Sequence, residues 1–218
     1  MKVYNFAETP SLVSQYVAEM RDINVQSDSL RFRRNLERAG EIFAYEMSKT
    51  FAYTDVPVRT PLGVDATCQL IADRVVLGTI FRAGIPFHQG FLSYLDKAEN
   101  AFVSAYRKYT DGDNFEVCIE YLASPSIQGK TLILCDPMLA TGASMELAYR
   151  ALLTKGTPAR VICAAVIASK QAVDYLRNHM PEDTELWVGV IDPDLNPHSY
   201  IVPGLGDAGD LAYGPKED

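Results

Sequence analysis

The sequence predicts an α/β fold in which a mostly parallel, twisted sheet is flanked by helices. From Arg74 onward, short runs that are apolar at nearly every position alternate with stretches of helical periodicity. Strands buried on both faces have this composition, because helices cover both sides of a parallel sheet. A length of 218 residues, 48% of them hydrophobic, suffices to bury one sizeable core. We therefore expect a single domain over residues 1–218.

Two helices are predicted before the sheet, within about residues 11–50. Ser11 begins the first pattern of apolar residues at helical spacing, and Asp28 begins a second, longer one. The segments 55–59 and 68–71 give only an irregular strand signal. Neither helix carries residues whose chemistry is obvious from the sequence.

The sheet region contains six predicted strands and three predicted helices. The strands are Val75–Ile80, Ala101–Tyr106, Glu116–Leu122, Thr131–Cys135, Val161–Ile167 and Glu185–Ile191. The helices are Pro86–Leu95, Ala143–Lys155 and Lys170–Asn178. The two strands that flank Asp111-Gly112 are typical of an antiparallel hairpin. Residues from Asp192 to the end of the sequence are rich in Pro and Gly, and we expect a loop there.

Charge and composition exclude several classes of function. A net charge of −8 argues against a nucleic-acid-binding protein, which needs a clustered basic surface. No stretch approaches the roughly 18 apolar residues of a membrane span, and the start of the chain lacks a signal peptide, so we expect a cytoplasmic protein without a membrane partner. The four cysteines and three histidines are scattered. We predict that Cys135 and Cys163 are reduced packing residues and that the protein has no metal site of its own.

The string GLGDAG, from Gly204 to Gly209, matches the glycine pattern of dinucleotide-binding folds. That pattern binds a dinucleotide only between a strand and a helix, with an acidic residue about twenty positions further on. Here Pro203 precedes the glycines and nine residues follow them. The sequence context therefore argues against a dinucleotide site.

A stronger motif is TLILCDPMLATGAS, which ends at Ser144. Asp136 follows a buried strand, and Thr141 and Gly142 lead into a helix. Ligands of open α/β sheets bind outside the carboxyl ends of strands, and the backbone N–H groups at a helix N-terminus bind phosphate. A carboxylate accepts hydrogen bonds from ribose hydroxyls. The segment fits a sugar phosphate, although Asp136 as a plain turn residue and Ser144 as a helix cap are the alternative interpretation.

With this motif, the sequence resembles the uracil phosphoribosyltransferases, a type I phosphoribosyltransferase family. Three other segments match in the family's order: FRAGIPFHQGF from Phe81, AYR ending at Arg107, and YIVPGLGDAGD from Tyr200 to Asp210. The resemblance extends from about Arg31 to the end of the sequence. The last segment is the most specific, because related base transferases lack it.

The resemblance implies the role of each matching residue. Arg82 and Arg107 would bind the pyrophosphate end of phosphoribosyl pyrophosphate (PRPP), and with Asp207, which lies close to both substrates, they form the catalytic set. The remaining PRPP contacts would come from Asp136, Pro137, Met138, Leu139, Ala140, Thr141, Gly142, Ala143 and Ser144. Uracil would lie against Ile201, Gly206, Asp207 and Ala208, within a base-recognition loop at about 192–214.

The resemblance also implies the reaction: uracil and PRPP give UMP and diphosphate, in pyrimidine salvage. Mg²⁺ would enter with PRPP, the protein would be a homo-oligomer, a dimer or larger, and GTP is a candidate effector. Two positions depart from the family. Ala143 replaces a common glycine, and the stretch 108–116, predicted here as a mobile lid, reads KYTDGDNFE instead of the family's usual acidic segment.

Two alternatives to this function stay open at the level of sequence. A transferase for another base would share the Asp136 segment but not the C-terminal loop. A non-catalytic sensor of PRPP or UMP would bind nucleotide without turnover.

Overall fold

The computed structural model describes residues 1–109 and 115–216, with the side chains of 105–118 excluded. The helices of this part are α1 (Leu12–Arg21), α2 (Ser29–Ser48), α3 (Gly84–Tyr94), α4 (Ala143–Leu152), α5 (Lys170–His179) and α6 (Ala208–Tyr213). Its strands are β1 (Lys2–Asn5), β2 (Tyr53–Arg59), β3 (Asp65–Ile71), β4 (Val75–Phe81), β5 (Glu99–Tyr109), β6 (Phe115–Ala123), β7 (Thr131–Cys135), β8 (Met138–Leu139), β9 (Arg160–Ser169), β10 (Glu185–Asp192), β11 (Asp194–Leu195) and β12 (Ile201–Val202).

The main sheet has the strand order β1-β10-β9-β7-β4-β5-β6, with the short β8 also paired to β9. Each of these pairings is parallel except that between β5 and β6. The predicted α/β class, the six strands and the antiparallel hairpin are therefore confirmed. Residues 110–114, at the tip of that hairpin, lie outside the described residues, so the lid at 108–116 stays a prediction.

Helices cover both faces of the sheet, and the central strands alternate between two hydrophobic clusters. On β7, Ile133 and Cys135 face the cluster built with α1, α2 and α3, whereas Leu132 and Leu134 face the cluster built with α4 and α5. This two-sided burial explains why residues 132–135 of the strand are all apolar. Burial raises the thiol pKa of Cys135 and of Cys163 to about 12, so both thiols are protonated at neutral pH.

Three parts of the fold differ from the predictions. Strand β1 was not predicted, because its four residues are too few for a pattern and its partner β10 lies far along the chain. The segments 55–59 and 68–71 belong to longer strands, β2 and β3, which pair with each other as a separate antiparallel ribbon. The C-terminal stretch is not wholly a loop, since it contains β11, β12 and the six-residue helix α6.

No helix within residues 1–109 and 115–216 combines the length and the apolar character that crossing a membrane requires.

Candidate active site

A cavity of about 450 Å³ lies at the carboxyl ends of β4 and β7. Three segments that are far apart in the sequence enclose it: the end of β4, the turn between β7 and α4, and the C-terminal stretch. The lining residues are Ile80, Phe81, Arg82, Ala83, Asp136, Met138, Leu139, Ala140, Thr141, Gly142, Ser144, Met145, His198, Ser199, Tyr200, Gly206, Asp207, Ala208, Gly209 and Lys216. This is the position at which open α/β sheets bind ligands.

The turn between β7 and α4 places unpaired backbone N–H groups at the cavity wall. Gly142 is the N-cap of α4, with φ +85°, and as a glycine it has no side chain to cap the helix. A Cβ atom at Gly142 would lie 3.0 Å from Cδ1 of Tyr175, so both the backbone conformation and the space favour glycine. The N–H of Ala143 donates to Oγ1 of Thr141 at 3.4 Å, whereas the N–H groups of Ser144 and Met145 have no partner among the described residues. These two N–H groups are therefore free to bind an anion, and the helix dipole adds positive potential there.

Two side-chain positions in this turn settle questions raised by the sequence. Ser144 is the second residue of α4 and not its N-cap, so the capping interpretation of Ser144 is wrong. Ala143, which replaces a common family glycine, is the first helical residue and does not have positive φ. The substitution is therefore compatible with the turn.

Asp136 lies half-buried at the cavity wall, directly after β7. Burial raises the pKa of its carboxyl group to about 7, and the negative charge of Asp207 contributes to the rise. The backbone N–H of Met138 donates to Oδ1 of Asp136 at 3.3 Å and partly opposes the shift. A carboxyl group with a strongly shifted pKa at a cavity wall is typical of a functional site.

Arg82 connects the end of β4 to the C-terminal stretch. Its Nη2 atom donates to Oδ1 of Asp210 at 2.9 Å, and its Nη1 atom donates to the carbonyl of Gly214 at 3.3 Å. The Nε atom is buried and has no acceptor among the side chains and backbone that the structure describes. A guanidinium N–H that is buried beside a cavity without an acceptor is available to a ligand oxygen.

Asp207 lies at the start of α6, where its Oδ1 atom accepts from the backbone N–H of Asp210 at 3.0 Å. The carboxylate therefore caps the helix and also faces the cavity. Gly206, with φ +92°, precedes it. Within the described residues, the short strand before this segment, β12, pairs only with β11, so the glycine string is not part of a β-α-β unit and a dinucleotide site does not fit.

The structure brings most of the predicted site residues together, with a few exceptions. Pro137, Ala143 and Ile201 do not line the cavity. The Pro137 carbonyl instead accepts from the backbone N–H groups of Val166 and Ile167, and Ile201 is buried. The side chain of Arg107 lies outside the described residues, so its role stays a prediction.

Nine lining residues lie outside the predicted set, and most of them neighbour a predicted residue or belong to a matched motif: Ile80, Phe81, Ala83, Met145, His198, Ser199, Tyr200, Gly209 and Lys216. Tyr200 begins the C-terminal motif, and His198 and Ser199 directly precede it, so their position could have indicated them. Ser199 has φ +61°, a conformation that glycine or asparagine usually supplies. Lys216 had no sequence signal that we could identify.

A family model described as uracil phosphoribosyltransferase matches residues 7–215. The chain belongs to the uracil phosphoribosyltransferase family. It is 60% identical over 216 residues to a uracil phosphoribosyltransferase of Porphyromonas gingivalis, a match that covers 99% of this chain and 100% of that protein. A uracil phosphoribosyltransferase of Pyrobaculum arsenaticum is 40% identical over 203 residues, covering 92% of this chain and 94% of the other.

A solved structure agrees with this membership. The AQ2163 protein from Aquifex aeolicus is 29% identical and superposes with a TM-score of 0.87, covering 97% of this chain and 98% of its own. The family predicted from the sequence motifs is confirmed, and so is its class of enzyme, a pentosyltransferase. A transferase for another base and a non-catalytic sensor are not favoured.

Proposed function

We propose that the cavity between β4, β7 and α6 converts uracil and PRPP to UMP and diphosphate, the pyrimidine salvage reaction of this family. The observation that carries the proposal is the turn at 136–144, where a helix N-terminus with free N–H groups and a carboxyl group with a raised pKa face one cavity. The C-terminal motif specific to the family forms another part of the cavity wall. Sugar phosphate and base would therefore meet across the cavity.

The turn would bind the ribose 5-phosphate. Backbone N–H groups at the start of α4 and the hydroxyls of Thr141 and Ser144 donate to the phosphate. Asp136, once ionised, accepts from the ribose hydroxyls. With a pKa of about 7 in the free protein, the carboxyl group of Asp136 is only partly ionised at neutral pH, and the Mg²⁺ that accompanies PRPP would favour the ionised form.

The reaction requires a C–N bond to form between a ring nitrogen of uracil and the anomeric carbon of the ribose, while the C–O bond to pyrophosphate breaks and the proton of that nitrogen is released. Positive charge develops on the ribose and negative charge on the leaving group, so the protein acts mainly by positioning and electrostatics. Arg82 would donate its unpaired Nε–H to the pyrophosphate. Arg107 would be a second donor, and the negative charge of Asp207 would stabilise the ribose.

Uracil would be recognised by the backbone of Gly206 to Ala208, in contact with the segment around Ile201. The backbone offers both N–H donors and carbonyl acceptors, which match the alternating edge of uracil. Cytosine carries an amino donor in place of one carbonyl acceptor. A site that donates to that carbonyl can reject the mismatch by a factor on the order of 10⁴.

Mg²⁺ fits the site as a partner of PRPP. Within residues 1–109 and 115–216, no three His, Cys, Asp or Glu side chains form a metal-binding group. The carboxylates of Asp136 and Asp207 nevertheless line the same cavity, and Mg²⁺ commonly uses one or two carboxylates together with substrate phosphates. Bound in this way, Mg²⁺ would neutralise charge on the leaving pyrophosphate.

A homo-oligomer, a dimer or larger, is also part of the proposal. The ribbon of β2 and β3 exposes Val58, Leu62, Val64, Leu70 and Ile71, and it pairs with no other strand of the described chain. A two-stranded ribbon is marginally stable alone, so a second copy covering these apolar residues would stabilise it. GTP as an effector and a cytoplasmic location stay predictions.

The test is to incubate the purified protein with Mg²⁺, PRPP and one base at a time, and to measure nucleoside monophosphate by chromatography. UMP should form with uracil, and no monophosphate should form with cytosine, orotate or hypoxanthine. Turnover of another base in preference to uracil would contradict the proposal. Tight binding of UMP without turnover would instead indicate a sensor.

A further inference from the structure

The base-recognition loop is tied to the N-terminal helices through Arg21, the last residue of α1. The Nη1 and Nη2 atoms of Arg21 donate to the two carboxylate oxygens of Asp192 at 2.9 and 2.7 Å. Nη1 also donates to the carbonyl of Gly204 at 3.0 Å. In turn, the backbone N–H of Gly204 donates to Oδ2 of Asp192 at 2.9 Å. These contacts close a ring of hydrogen bonds around Gly204.

Two further donors from the same helices reach the same stretch. Nε2 of Gln26, between α1 and α2, donates to the carbonyl of Leu205 at 3.1 Å and to that of Met20 at 2.8 Å. Nη1 of Arg33, on α2, donates to the carbonyl of Ala212 at 2.6 Å. Three N-terminal side chains thus hold three backbone carbonyls of residues 204–212.

These hydrogen bonds hold a segment whose glycines allow several backbone conformations. Gly204 has φ +60° and Gly206 has φ +92°, and glycine populates many other conformations at no steric cost. A hydrogen-bonding site for a base edge needs its donors and acceptors fixed to within about 0.5 Å. The hydrogen bonds from Arg21 to the Gly204 carbonyl and from Gln26 to the Leu205 carbonyl would supply that constraint.

The Arg21–Asp192 pair is suited to this purpose. The side chain of Asp192 is 5% exposed and that of Arg21 is 22% exposed, so solvent weakens the pair little. A fork of two parallel N–H···O bonds also fixes orientation, which a single contact does not. Gly204 therefore has a defined position relative to α1 as well as to β10.

We propose that Arg21 and Gln26, assisted by Arg33, are positioning residues for uracil, so that the N-terminal helices determine the geometry of the base pocket. The proposal rests on the proposed function of residues 206–208. It predicts that weakening these hydrogen bonds impairs the use of uracil. The use of PRPP should be retained, because PRPP would be held by the turn at 136–144.

The experiment compares Gln26→Met and Arg21→Lys with the wild type. Gln26→Met removes a neutral donor at similar volume, and kcat/KM for uracil should fall about three- to ten-fold. Arg21→Lys keeps the positive charge beside Asp192 but loses the two parallel hydrogen bonds. Its kcat/KM for uracil should fall about ten- to a hundred-fold. In both variants kcat/KM for PRPP, at saturating uracil, should stay within about two-fold of the wild type.

Arg31→Lys is the matched control. Arg31 makes a similar fork to Glu19, at 3.0 Å through Nε and Nη2, within the same pair of helices but away from the loop. It should leave both kinetic constants unchanged. If the values for uracil and PRPP fall together, or if Arg31→Lys has the same effect, the N-terminal contacts are structural and the proposal is overturned.

Hydrogen exchange of the unliganded protein separates this proposal from the proposed function. The backbone amides of residues 204–206 should exchange faster in Gln26→Met and Arg21→Lys than in the wild type, whatever base the protein uses. Unchanged exchange would overturn the positioning role even if UMP is formed. If the two variants exchange faster but the wild type makes no UMP, only the assignment of uracil is contradicted.

Discussion

The two walls of the cavity are built in different ways. The turn at 136–144 is held largely by its own residues and by the neighbouring strand β9: Asp136 accepts from Met138, Ser169 donates to the Ala140 carbonyl at 2.6 Å, and α4 begins at once. The segment 204–208 depends on Arg21 and Gln26, more than 170 positions away. The proposed sugar-phosphate site therefore lies within one strand–turn–helix unit, whereas the proposed base pocket needs the assembled fold.

The largest effect is expected from a substitution in the proposed sugar-phosphate wall. Asp136→Asn should fold normally and lose most activity, with a fall in kcat of about 100-fold or more, because an amide accepts ribose hydroxyls weakly and lacks the charge. Steady-state assays with saturating uracil measure the loss. Asp183→Asn, an exposed substitution outside the cavity, is the control, and wild-type turnover of Asp136→Asn would contradict the role of Asp136.

The same variant has a pH signature in the free protein. The folded chain binds the Asp136 proton with a pKa of about 7, against an ordinary value of 3.8. Between these values the folded state holds more protons than the unfolded state, so the free energy of unfolding should fall as pH rises from about 4 to 7. Asp136→Asn should remove this slope and be more stable than the wild type at about pH 8, by up to about 4 kcal/mol, since one pKa unit corresponds to about 1.4 kcal/mol. Urea unfolding at several pH values is the measurement.

A pair of glycine substitutions sharpens the comparison between the walls. Gly142→Ala and Gly204→Ala both place a side chain at positive φ, and each should cost about 1–3 kcal/mol of stability. Gly204→Ala also clashes, since its Cβ would lie 2.0 Å from the Ile201 carbonyl oxygen. Gly142→Ala should lower kcat/KM for PRPP more than for uracil, and Gly204→Ala should do the opposite. Equal losses for both substrates would show that the walls do not act separately.

The smallest expected effect concerns Ser144. Ser144→Ala removes one hydroxyl from a phosphate site built mainly from backbone N–H groups, so binding of PRPP should weaken by on the order of 1 kcal/mol. The KM for PRPP should rise a few-fold with kcat little changed. A complete loss of activity would mean that the hydroxyl has another role.

A truncation before Gly204 cannot serve as a test of specificity. From the sequence, the sheet appeared complete without the C-terminal stretch. In the structure, Leu205, Ala208 and Ala212 are buried in the cluster under α1 and α2. Removing them would expose core surface and destabilise the protein as well as the base pocket. Point substitutions in the loop or in its N-terminal contacts avoid this ambiguity.

The sequence by itself determined the class of the fold and the sugar-phosphate wall. Buried strands such as β7 are apolar at nearly every position, and the residues from Asp136 to Ser144 are contiguous, so both are visible as local patterns. Resemblance added the base wall at 206–208. Only the tertiary structure decided that Arg82 contacts Asp210, that β1 joins β10, and that α1 and α2 hold the loop at Gly204 and Leu205. Those contacts join residues about 130 to 180 positions apart, and no periodicity or spacing along a chain records which distant groups folding brings together.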